Sequence, residues 1–158
     1  MSEQTTTPCT CAAIRQVSRH VTSFYDECLA PFGLTVSQFS ILSRLRRLGA
    51  RSINALAREL LVDRTTLARN VRPLEREGLL ELAPDETDRR SRSLRLTSAG
   101  AKRVEKAREG WQKAQSGFER AYGSERAAEL RRLLHAAAET ELSAEPARRS
   151  SSKRSTQR

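Results

Sequence analysis

Between Ser52 and Gly100 the spacing of apolar residues changes once, at Gly78, and that change leaves few folds open. Before it, Ile53, Leu56, Ala57 and Leu60, and then Leu67, Val71 and Leu74, recur every three or four residues, the period of one helix face. After it, "LLELAP" and "SRSLRLT" alternate as strands do, and the "DETDRR" between them is too charged to be buried. Ser52 is placed to cap the first helix, Asp63 or Thr65 the second, and Gly78 ends the pair. Two short helices joined by a tight turn and followed by a hairpin describe a winged helix-turn-helix. The expected fold is mainly α with a small β-hairpin wing.

The flanks are helical. Ile14, Val17, Val21, Phe24 and Cys28 line one face of a helix over 12–30, which Pro31 and Gly33 end. "LTVSQFSILSRLRRLG" places Val36, Phe39, Leu42 and Leu45 inward and stops at Gly49. Thr97 caps a long helix with Val104, Ala107, Trp111, Ala114 and Phe118 on one face. Gly123 stops it, and Ser124 is placed to cap a last helix holding Ala127, Leu130, Leu134 and Ala137. One conflict stands inside the 64–77 pattern, where Pro73 removes a backbone bond at a cost of about 3 kcal/mol. Because Leu74 and "EREG" continue the pattern, a kinked or late-tightened helix is expected rather than an early end.

Charge is concentrated. Residues 44–95 hold 13 Arg, no Lys and 8 Asp+Glu, for a net +5. The segment 146–158, "PARRSSSKRSTQR", adds five basic residues and no acid, so these two stretches account for the whole net charge of +10. Excess positive charge points to a polyanion, of which nucleic acid is the commonest. A membrane surface would call for a basic amphipathic helix with large apolar residues, and none stands outside the core patterns. No apolar run reaches the roughly 20 residues of a membrane span, and "MSEQTTTPCTC" has no secretion-signal character. Cys9, Cys11 and Cys28 are an odd count, so reduced thiols in the cytoplasm are expected rather than a disulfide scaffold. With no Gly-rich phosphate loop and only two His, no catalytic set is visible and no cofactor is implied. The soft ligands Cys9, Cys11, His20 and His135 lack metal-site spacing.

The chemistry for reading a duplex is present. In a winged helix-turn-helix the second helix enters the major groove by its N-terminal residues. Those are Arg64, Thr65, Thr66, Arg69 and Arg72, of which Thr65, Arg69 and Arg72 share one face. Arginine offers a planar fork to guanine or phosphate, and threonine a hydroxyl plus a methyl. At the hairpin tip, Asp88 and Arg90 are two apart, so in extended chain the acid can steady the guanidinium for a narrow minor groove. Arg89, Arg92 and Arg95 suit phosphates, which position without specifying.

"LLVDRTTLARNVRPLEREGLLE" followed by "DETDRRSRSLRLTSAG" resembles the MarR family of bacterial transcription regulators, whose hairpin signature matches Asp88, Arg89, Arg90, Leu96, Thr97 and Gly100. The resemblance covers roughly 11–142 and implies a homodimer on a pseudo-palindromic operator in double-stranded DNA. Apolar positions on 12–30, 98–121 and 124–142 exceed what a small winged domain covers alone, which agrees with pairing. The expected organisation is a flexible arm over 1–10 and a domain over 11–142. In that domain, dimerisation helices at 12–30 and 98–142 flank a winged helix-turn-helix at about 35–97. A disordered basic tail follows over 143–158. A nonspecific nucleoid-associated protein, touching phosphates alone, is the alternative.

The resemblance implies release of DNA when a small molecule binds or a cysteine is oxidised, as is usual in this family. Cys11, 22 residues before Gly33 and 14 before Tyr25, resembles the sensor of the organic-hydroperoxide branch, although Val36 stands where that branch has a second tyrosine. The start of a helix favours thiolate, the reactive form. Cys9 is a nearby second thiol, while Cys28 continues the apolar stripe and reads as core or interface. The rival effector is an aromatic ligand near Tyr25, Phe39, Trp111 and Phe118.

Overall fold

The structure, a computed structural model, describes residues 9–84 and 92–142. Its elements run α1 (Thr10–Leu29), a 3₁₀ turn (Ala30–Phe32), α2 (Val36–Leu48), β1 (Arg51–Ser52), α3 (Ile53–Glu59) and α4 (Arg64–Arg76). They continue with β2 (Leu80–Pro84), β3 (Arg92–Leu96), α5 (Ser98–Tyr122) and α6 (Ser124–Glu139). The mainly helical fold with a small antiparallel wing is therefore as the sequence predicts. Two compact units meet in sequence at Ala121–Tyr122, the second built around α6.

Helix starts follow local chemistry. The Thr35 hydroxyl accepts from the Gln38 N–H while the Gln38 side chain accepts from the Thr35 N–H, a reciprocal capping box. Asp26 on α1 accepts the Val36 N–H at 2.6 Å, tying the first helix to the second. Ser52 caps α3 through the Ala55 N–H, and Asp63, rather than Thr65, caps α4 through the Thr66 N–H. Thr97 caps α5 by accepting from the Gly100 N–H at 3.0 Å. At α6 the expectation fails: Gly123 holds the cap position, Ser124 lies inside the helix, and no side chain caps it. Pro73 sits inside α4, which runs on to Arg76, so the helix passes the proline as expected.

Helices α3 and α4 end in the same way. In α4, Gly78 donates to Glu75 O and Leu79 to Leu74 O, with Gly78 left-handed at φ +68°. In α3, Leu61 donates to Arg58 O and Val62 to Ala57 O, and the left-handed residue is Leu61 at φ +52°. Glycine adopts this conformation freely, whereas an L side chain costs about 1–2 kcal/mol.

The wing has a third strand that the sequence did not reveal. β1 is two residues long, too short for any alternation, and pairs Arg51 with Leu94 in the order β1-β3-β2. β2 lies at an edge, where Pro84 opposite Arg92 leaves no ladder donor missing inside the sheet. Leu82 faces Leu94, and Leu94 is fully buried.

The core is leucine. All seven of the largest fully buried side chains are Leu: Leu29, Leu42, Leu45, Leu56, Leu67, Leu74 and Leu94. Helix α5 packs differently, through Gly100, Val104, Ala107, Gly110 and Ala114. A Cβ on Gly100 would come within 2.1 Å of the Leu79 carbonyl oxygen, and one on Gly110 within 2.5 Å of the Cys28 carbonyl oxygen. Trp111, expected on the inward face, is 36% exposed because its neighbour Gly110 makes the close approach instead. The outer half of the α1 stripe is also open, with Ile14 48% and Val17 45% exposed.

Candidate nucleic-acid interface

Helix α4 separates two chemistries on one cylinder. Leu67, Val71 and Leu74 are buried, while Arg64, Thr65, Arg69, Arg72 and Arg76 are exposed. Arg76 is the member sequence reasoning passed over, although it stands four residues after Arg72 and seven after Arg69 on the same face. Several other arginines of the block have partners. Arg44 pairs with Glu59 at 3.6 Å, Arg46 with Glu105, and Arg92 donates to Leu82 O at 2.9 Å. Among the described residues, no carboxylate pairs with Arg64, Arg69 or Arg72. Their forks are held out, charged and unmatched.

The start of α4 is fixed by Asp63. Its carboxylate accepts from both the Thr66 hydroxyl, at 2.6 Å, and the Thr66 N–H, at 2.8 Å. The Thr66 hydroxyl bond, with the backbone bond second, holds the Asp63 carboxyl below the ordinary carboxylate value. Thr66 therefore gives its hydroxyl proton to the cap and is half-buried, which leaves Thr65 as the threonine on the open face. One turn on, Asn70 donates its amide to Thr66 O at 3.0 Å.

The far end of α4 is tied to α5. Thr97 donates to Gly78 O at 2.7 Å and its N–H to Leu79 O at 3.2 Å, so the first residues of α5 rest on the exit of α4. Arg103 on α5 donates to Phe32 O at 3.3 Å and pairs with Glu77 at 3.6 Å. Arg46 on α2 bonds Glu105, and that bond, ahead of the pair's charge attraction, lowers the Glu105 carboxyl. These bonds tie the first part of α5 to the exit of the helix that displays the arginines. Asp88, Arg89 and Arg90, the expected hairpin tip, lie outside the described residues.

A family model described as MarR family matches residues 32–91, the span from the 3₁₀ turn to the hairpin. The chain is 39% identical over 71 residues to the transcriptional activatory protein BadR of Rhodopseudomonas palustris, covering 43% of this chain and 41% of BadR. It is 32% identical over 90 residues to the HTH-type regulator PecS of Dickeya dadantii, covering 55% of this chain and 54% of PecS. The chain thus spans about half the length of these curated relatives. The transcriptional regulator MosR of M. tuberculosis, solved in complex with DNA, superposes with TM-score 0.70 at 31% identity, over 85% of this chain and all of MosR. The chain belongs to the MarR family. Its members regulate transcription and are not enzymes.

Within this MarR-family chain the expected sensing residues fall into separate places. Cys9 is the cap residue of α1 and Cys11 its second residue, both exposed; Cys28 is half-buried near the other end. Tyr25 donates its hydroxyl to Gln115 on α5 at 2.8 Å and meets Phe24 edge-on, with centroids 6.1 Å apart. The rings of Phe39 and Trp111 lie nearly parallel, at 17°, with centroids 6.3 Å apart. Phe118 is half-buried on α5. A separate cleft of about 220 Å³ opens between α2 and α4, lined by Val36, Ser40, Ile41, Val62, Leu67 and Asn70 among others. Among the described residues, no group of three or more His, Cys, Asp or Glu could hold a metal ion, and no helix is long and apolar enough to cross a membrane.

Proposed function

We propose that this chain is a sequence-specific DNA-binding transcriptional regulator, a homodimeric repressor on a pseudo-palindromic operator. The observation that carries the reading is the set of unmatched forks on α4: Arg64, Arg69 and Arg72 are exposed without carboxylates beside exposed Thr65, on a helix whose opposite face is locked into the core. Forks of that kind suit guanine edges and phosphates of a duplex. Pairing of two chains is supported by the open apolar side chains Ile14 and Val17 on α1 and, in the other unit, Leu133 and Leu134 on α6. Release is assigned to oxidation of Cys11, with Cys9 beside it, in preference to an aromatic ligand. Both thiols are exposed, whereas Phe39 is buried and the Tyr25 hydroxyl is held by Gln115.

The test is a salt-titrated binding assay on duplex from upstream of the chain's own gene against random duplex. Preference by about a thousandfold supports the regulator. Equal affinities would replace it with the nucleoid-associated alternative, in which phosphates alone are touched. Transcription from that upstream region rises on deletion of a repressor; a fall would make the chain an activator, like the transcriptional activatory protein BadR. Cys11→Ser abolishes release by an organic hydroperoxide. Unchanged release would move the sensor away from α1.

A further inference from the structure

Leu61 is left unexplained by the fold. Helices α3 and α4 close with the same pair of backbone bonds, and the position that must be left-handed is Gly78 in one and Leu61 in the other. Nothing about the turn requires a leucine there, since glycine takes the conformation without strain. Packing does not require it either: Leu61 is 79% exposed, while its neighbours Leu60 and Val62 line the cleft between α2 and α4. A large apolar side chain is therefore held in a disfavoured conformation with most of its surface in water. Its place is two residues before Asp63, the cap of α4, beside the exposed and unmatched Arg64 and the exposed Thr65.

Resting on the regulator reading above, we infer that Leu61 is a specificity-determining contact: it packs against the 5-methyl group of a thymine at the edge of the site that α4 enters. Arg64, Arg69 and Arg72 on α4 bring a duplex to this face, the charges of Arg58, Glu59, Asp63 and Arg64 around the turn itself cancelling, and the apolar group that a duplex exposes in its major groove is the thymine methyl. The contact selects thymine over cytosine at one position per half-site without any hydrogen bond. Arg64, Arg69 and Arg72 supply attraction that the leucine cannot.

The experiment uses the full chain and a duplex selected by it from a random pool. Each thymine is replaced in turn by deoxyuridine, which differs only by the lost methyl. Wild type is expected to lose about fourfold in affinity at one thymine of each half-site, the worth of one buried methyl. Leu61→Gly and Leu61→Asn, both suited to the left-handed turn, lose the contact in both half-sites, so they bind the unmodified duplex about sixteenfold less well and are indifferent to deoxyuridine at the same position. Thermal melting separates this from damage to the turn, because the glycine variant melts no lower than wild type. Retention by the variants of full affinity and of every deoxyuridine effect overturns the inference. So does a loss that is equal at all thymines, which would make Leu61 a residue that merely sets the angle of α4. Failure of wild type to prefer any selected duplex over random sequence is a different result, removing the regulator reading and the thymine contact together.

Discussion

Helices α4 and α5 are bonded where one ends and the other begins, and they solve opposite problems. α4 places its information in side chains, burying Leu67, Val71 and Leu74 while holding out Arg64, Arg69 and Arg72. α5 works through missing side chains: at Gly100 and Gly110 the backbones approach so closely that a Cβ would sit 2.1 and 2.5 Å from carbonyl oxygens. Glycine in a helix interior costs about 1 kcal/mol against alanine, so its repeated use in a 25-residue helix marks places where proximity outweighs propensity. The lesson is a division of labour. The outer face of α4 can change without cost to the fold, and the glycine face of α5 cannot change at all.

The sharpest way to break this comparison is Gly100→Ala. The added carbon meets Leu79 backbone, not the end of a flexible side chain, so about 3 kcal/mol or more of stability is lost and the urea midpoint falls. An unchanged midpoint would show that α5 is not seated on the exit of α4. Arg69→Ala and Arg72→Ala test the other half. Stability stays within about 0.5 kcal/mol, while binding to the preferred duplex weakens by about 1–3 kcal/mol. Loss of stability in these variants would mean that the forks hold the fold rather than a partner. Thr97→Ala removes both the cap of α5 and its bond to Gly78 O, and about 1 kcal/mol of stability with them.

The smallest effect is a pH dependence at the start of α4. The Asp63 carboxyl is held below its ordinary 3.8, chiefly by the Thr66 hydroxyl. Its stabilisation is therefore complete above that ordinary value and is lost as pH falls through the lower folded value. An asparagine introduced by Asp63→Asn also caps the helix but does not titrate. The difference in melting temperature between the two proteins is constant from about pH 5 to 8, on the side of full ionisation, and shifts in favour of Asp63→Asn below about pH 3.8. Glu105 and Glu129 are also lowered, by Arg46 and Arg132, but are present in both proteins and cancel. A difference that stays flat throughout the acid range would remove the carboxylate from the cap.

Much of this was legible in the residues because it is local. Ser52, Asp63 and Thr97 announce helix starts, Gly49 and Gly78 announce ends, and the three-four spacing of Leu67, Val71 and Leu74 fixes which side of α4 is buried. The arginine and threonine face follows from the same spacing. Part of what escaped reading depends on a second strand or helix arriving from far along the chain, and part on which of two neighbouring groups takes a local bond. β1 is defined by β3, 43 residues away at the Arg51–Leu94 pair, and not by any pattern of its own. Ser124 has the chemistry of a cap but the chain enters α6 through Gly123. That the Thr66 hydroxyl proton is committed to Asp63 is likewise not announced by its place in the chain.

Residues close together in the chain set the starts of α3, α4 and α5, the buried side of α4, and the cationic, fork-bearing surface opposite it. They do so because capping, periodicity and charge act over one or two turns. Only the tertiary structure decided that Gly110 and not Trp111 meets the neighbouring backbone, which arginines are neutralised by Glu59 and Glu105 and which are left over, and that Leu61 stands in water in a glycine's conformation. Periodicity assigns a face, but the distance of closest approach belongs to two elements at once, and no single stretch of chain contains it.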